Sequence, residues 1–141
     1  MNVGRLLAAA VVATVVDAVY GFVVYGTLLL SRFEALPAVY RQGADSQAHT
    51  PYIFCGTLLA MIAAAYIYTK GYEGGSGVGE GLAFGIVMGL FAAGYAGIVN
   101  FATLNIPMSH GMTMAAAAFV EWVLAGLVIG AIYKPAVAAR P

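Results

Sequence analysis

Two carboxylates, Asp17 and Glu121, stand inside long apolar stretches, and they carry the most definite chemistry in the chain. Asp17 lies twelve residues beyond Arg5, roughly 18 Å along a helix at a rise of about 1.5 Å per residue. Glu121 lies eleven residues beyond His110, roughly 16 Å from the opposite side on the same rise. Both reach mid-depth of an apolar layer, where a carboxylate costs about 2.5–3.5 kcal/mol to insert and normally turns inward to a partner. The faces this predicts are Thr14, Asp17, Gly21 and Val24 on one helix and Met114, Ala117, Glu121 and Ala125 on the other.

Two outcomes follow from that placement. Acids within hydrogen-bond distance in a low-dielectric interior cannot both ionise, and they share a proton. That is the raw material of a proton relay or cation site, with Tyr20 and Asn100 as its polar surroundings. Otherwise Tyr20, Tyr25, Thr14 or the Trp122 indole satisfies each acid separately, and the pair only fixes helix register. Asn100, close to the face of Ala93 and Gly97, is expected to hydrogen-bond a neighbouring helix.

Other constellations are weaker. His49 and His110 begin two spans on one side, near Glu34 and Asp45, and are weak candidates for binding zinc or copper, or a pigment or haem. The two histidines do not have the spacing of one helical turn, and no metal site and no cofactor is expected. The single cysteine, Cys55, excludes an internal disulfide and is expected to be buried at a helix start. Gly74-Gly75-Ser76-Gly77 lacks the ending of a phosphate loop. With no Ser-His-Asp, HExxH or CxxC arrangement, enzymatic activity is not expected.

The elements that must hold these residues are set by composition. Of 141 residues 62% are hydrophobic and 9% charged, against about 25% charged in a soluble domain, so the partner is a lipid bilayer. The formal net charge of zero argues against nucleic acid. Four stretches satisfy the rule of about 20 apolar residues per span. They cover residues 6–30, 51–69, 80–104 and 110–133, with a polar outer connection at 31–50. The fold class is therefore all-α: a polytopic four-helix transmembrane bundle forming one membrane domain over 1–141. Pro37–Arg41 is expected to form one interfacial turn, with Phe33 and Tyr40 at headgroup level. Thr50 and Ser109 are expected N-caps, and residues 70–79 a flexible glycine-rich turn.

The third span carries Gly81, Gly85, Gly89, Ala93 and Gly97 at every fourth position, a shallow ridge that lets another helix approach closely. Gly126 and Gly130 offer a similar face on the fourth span, and Gly56, Ala60 and Ala64 on the second. Short connections predict that the second, third and fourth spans pack as sequential antiparallel neighbours.

Met1–Val16 has the outline of a signal peptide, but its apolar run continues through Leu30, too long for one, and predicts a retained helix. Arg5, Lys70, Lys134 and Arg140 share one side, against Arg32 and Arg41 on the other, which predicts cytoplasmic termini. Tyr66, Tyr68, Tyr72 and Tyr133 then line the inner interface, and Tyr52 and Phe54 the outer one.

DAVYGFVVYG, the polar first connection and EGLAFGIVMGLF, followed by a glycine-poor fourth span, together resemble small bacterial four-helix integral membrane proteins of unknown function. The resemblance implies the four-span topology and no activity or site; the location expected is the bacterial inner membrane. Three functions are then expected in turn. The first is a non-enzymatic accessory subunit, packing with itself as a homo-oligomer or with a larger membrane complex. The second is a proton- or cation-linked transporter or channel using Asp17 and Glu121. The third is a metal, pigment or haem carrier using His49 or His110.

Overall fold

The structure is a computed structural model and describes residues 1–133. The tail from Lys134, expected to be short and frayed, lies outside the described residues. Helix α1, Val3–Val23, is opened by the Asn2 side chain, which accepts from the Arg5 N–H. It continues into a wider turn, Val24–Leu28, closed by a hydrogen bond from Leu29 N to Val24 O of 2.8 Å. Short helices α2, Leu30–Glu34, and α3, Gly43–Ala48, make up much of the outer connection. Helix α4 spans Thr50–Gly71. Helix α5, Gly77–Ala92, runs through a second wide segment, Ala93–Val99, into α6, Asn100–Thr103. Helix α7 is Met108–Ile132.

The four helices long and apolar enough to cross a membrane are Val3–Leu28, Thr50–Gly71, Gly77–Thr103 and Met108–Ile132. In lipid every backbone N–H and C=O must be satisfied within the segment, so such sequences become helices whatever their intrinsic propensity. The fold is an all-α, four-helix membrane bundle.

The caps differ from expectation. Helix α4 already includes Thr50, with His49 at the cap position, and α7 begins at Met108 after Pro107; neither has a side-chain cap. The glycine-rich turn is clamped rather than loose. Ser76 caps α5, and the Glu80 carboxylate reaches back to accept from Glu73 N at 3.0 Å and Gly75 N at 2.5 Å. Gly74 holds φ at +92°, which favours glycine.

The third and fourth spans pack as neighbours as expected, whereas the second and third do not. Helix α7 lies against both α5 and α1, and α1 lies against α4. The second and third spans, although sequential, meet chiefly through side chains such as Tyr68 and Phe84, whose ring centroids are 5.5 Å apart. The reason is the glycine ridge. A Cβ placed on Gly81 would lie 2.5 Å from Gly126 O and 2.9 Å from Gly130 Cα. One on Gly85 would lie 2.9 Å from Trp122 O, one on Gly89 2.9 Å from Phe119 O, and one on Gly97 would collide with Ala115. The ridge is thus consumed by α7, and α4 is left to α1.

The α1–α4–α7 core is concentrated in the half nearest the N-terminus. There Leu6, Ala9, Ala10 and Ala13 meet Met61, Ala64, Ala65 and Tyr68, with Ala125 and Ile129 of α7. Tyr68 and Tyr133, near the ends of their spans, are buried against this core. Cys55, expected to be buried, is exposed on the outer flank of α4, a place where lipid accepts a thiol readily.

Candidate functional site

In the other half of the bundle α1 and α4 leave space, and this is where the intramembrane acids sit. Asp17 and Glu121, near the centres of their spans, line one cavity together with Thr57 of α4. The Tyr25 hydroxyl donates to Glu121 Oε2 at 2.6 Å. A turn wound on five residues lags behind regular helix rotation, and it is from this turn that Tyr25, rather than the expected Val24, addresses the fourth span. Tyr20 does not bond either acid. Its hydroxyl donates to Ala117 O at 2.8 Å, one turn before Glu121, and its ring meets Tyr25 edge-on at 5.9 Å. Thr14 turns to its own helix, bonding Ala10 O at 2.8 Å.

Two cavities flank the pair. The larger, about 460 Å³, is bounded by α1, α4 and the outer connection, and has Asp17, Glu121 and Thr57 at its polar end. Its walls include Phe22, Phe33 and Phe54. The smaller, about 320 Å³, lies towards the third span and is lined by Asn100, Met114, Trp122 and Tyr40. Asn100 therefore faces this cavity; the wide turn of Ala93–Val99 lies just before it. Glu121, Tyr25 and Phe33 line both spaces, so Glu121 stands in the partition between them. Neither lining contains a lysine or arginine among the described residues.

The outer connection folds over this half as a cap, and the expected turn lies within it, with Val39 N and Tyr40 N both donating to Leu36 O at 3.0 Å. Tyr40 hydroxyl is 2.9 Å from His110 Nε2, and Phe33 packs edge-on against Tyr40 at 4.8 Å and against His110 at 5.6 Å. Phe33 also meets Tyr25 at 6.2 Å, so a continuous aromatic contact runs from Tyr20 to His110. Burial pushes the Tyr40 hydroxyl above the ordinary tyrosine range, which keeps its proton available to His110.

The histidines are not brought together. His110 is buried at 3% exposure, whereas His49 stays at the surface with Nδ1 2.8 Å from Asp45 O. Asp45 is itself paired with Arg41 at 3.0 Å. Among the described residues no three of His, Cys, Asp and Glu form a group that could hold a metal ion.

Thr57, Tyr40 and Phe33 were not singled out by sequence reasoning as parts of this site. Thr57 had a signal: it is the one hydroxyl in the apolar run between Tyr52 and Tyr66. Tyr40 and Phe33 had none beyond being aromatic residues in a polar connection.

Fold and geometry define a class: a multi-pass helical membrane protein with two carboxyls lining a cavity at mid-bundle. Compared with family models, with curated proteins and with solved structures, the chain matches none, so the resemblance to the bacterial four-helix family is not carried further by them.

Proposed function

We propose that the protein is a small proton- or cation-linked transporter or channel whose working group is the Asp17–Glu121 pair. The observation that carries this is the convergence of both acids at the polar end of the larger cavity, with Glu121 also reaching the smaller one and no lysine or arginine in either lining. Two carboxyls so placed hold one proton between them, and release of that proton leaves a site of negative charge. Structural acids in a bundle need a partner but not a space, and here both acids border one cavity and Glu121 a second. Phe22, Ile53 and Phe54 are exposed around the larger cavity, so its outer wall is open, and self-association of two copies would enclose it. We read the protein as a homo-oligomer of a bacterial inner membrane, with both termini cytoplasmic.

The same open wall supports the rival reading of an accessory subunit, in which a larger membrane protein supplies the missing side. Reconstitution separates the two. Purified protein in liposomes is expected to dissipate an imposed pH gradient, and Asp17→Asn combined with Glu121→Gln is expected to abolish that flux. Flux unchanged in the double variant removes the acids from the mechanism. No flux, together with stoichiometric co-purification of another membrane protein in mild detergent, establishes the subunit role instead.

A further inference from the structure

We infer that the larger cavity is a binding site for a small hydrophobic organic cation, an aryl- or alkylammonium, whose charge replaces the proton held by the carboxyl pair. The inference rests on the reading that Asp17 and Glu121 are the working group, and it adds the chemical class of what they bind.

Volume, sign and walls each restrict the occupant. At about 460 Å³ the space is within the range of small-molecule sites, about 300–1,000 Å³, and is far larger than a metal ion requires. A hard cation such as calcium needs about six to eight oxygen ligands, whereas this lining is mostly Ala18, Gly21, Phe22, Leu30, Ile53 and Phe54. An anion finds two carboxyls and no basic group. A neutral apolar molecule leaves the carboxyl end unanswered. An ammonium with an apolar body meets every part of the surface: the charge faces Asp17 and Glu121, and the body lies among aromatic rings that attract cations to their faces.

The surroundings set the coupling to protons. The titratable groups facing the pair are Tyr20 from α1, Tyr25 from the wide turn after it and, across the smaller cavity, Tyr40 from the connection. Helix α4 presents Thr57, and the third span presents Asn100. None of these brings a positive charge, so a bound cation is the only counter-ion at hand. Entry of one cation with departure of one proton leaves the charge of the buried site unchanged. The space is reachable sideways between α1 and α4, which suits a molecule that partitions into lipid.

The test is equilibrium dialysis of the reconstituted protein in nanodiscs, against empty nanodiscs, with benzyltrimethylammonium as probe. Its neutral carbon isostere, neopentylbenzene, serves as the control. Saturable binding of the ammonium is expected, weakening about tenfold per unit fall in pH while the pair holds its proton. Gly21→Leu is expected to abolish it by filling the cavity beside Asp17. A Cβ at Gly21 meets nothing closer than Tyr25 Cδ2 at 3.9 Å, so that variant keeps the helix packing. Glu121→Gln is expected to remove the pH dependence. Equal binding of the neutral isostere overturns the inference and makes the cavity an apolar or lipid-tail pocket. Absence of ammonium binding, with proton flux still dependent on Asp17 and Glu121, overturns it while leaving the proposed function standing. Absence of both overturns the two together.

Discussion

At the scale of single residues, Tyr25 and Tyr20 form a natural contrast. Both hydroxyls lie beside Glu121, but only Tyr25 donates to its carboxyl, at 2.6 Å. Tyr20 donates to Ala117 O, a carbonyl that also accepts from its own helix. Tyr25→Phe is therefore expected to cost about 0.6–1.7 kcal/mol, the range of side-chain hydrogen bonds between membrane helices, and to slow proton flux several-fold. Tyr20→Phe is expected to cost less than about 0.6 kcal/mol and to leave flux near the native rate. Unfolding titrations in mixed micelles and the liposome assay measure both. Equal losses from the two variants would mean that the bond to Glu121 has no special weight. The sequence alone exposes Asp17 and Glu121, because an ionisable group in an apolar run has no cheap explanation. It does not expose Thr57, since a threonine is common in membrane helices and its partner lies on another span.

At the scale of elements, the glycines divide into those that touch a backbone and those that touch nothing. A Cβ on Gly126 would collide with Gly85 of the facing helix, whereas one on Gly56 meets nothing within 4 Å. Gly126→Ala is expected to force α5 and α7 apart and destabilise the bundle by about 1–3 kcal/mol, as overpacking does. Gly56→Ala is expected to be neutral, or stabilising by up to about 1 kcal/mol through helix propensity. The same titrations decide, and a neutral Gly126→Ala would deny that α5 and α7 meet backbone to backbone. The spans themselves are legible in the sequence because lipid leaves an apolar run no alternative to a helix. Their neighbours are not. Small-residue faces occur on the second, third and fourth spans, and periodicity cannot say that the third pairs with the fourth while the second goes to the first. The wide turns at Val24–Leu28 and Ala93–Val99 leave no mark in sequence either, yet Tyr25 and Asn100 depend on where they fall.

At the scale of the whole molecule, the two ends differ in construction, and this sets the direction from which the site communicates with water. The end carrying the N-terminus is closed by the Tyr68, Tyr72 and Tyr133 rings and by the Glu80 clamp. The opposite end is closed only by the connection, through Phe33 and Tyr40 against His110. Basic residues favour the cytoplasm at short loops, and Arg5, Lys70, Lys134 and Arg140 outnumber Arg32 and Arg41. In the proposed orientation the capped end faces outward. Cys55 is the only native thiol, so a Cys55→Ser background allows single reporters to be added. Ala44→Cys, at the start of α3, is expected to react with a membrane-impermeant maleimide on intact cells, and Gly74→Cys only after lysis. The reverse pattern inverts the bundle and places the Tyr40–His110 cap in the cytoplasm. If the cap gates the smaller cavity, cross-linking the Ala44 reporter to a second cysteine on α7 should slow flux only from the side on which that reporter is labelled. Slowing from both sides would assign the water path to the open wall between α1 and α4 instead.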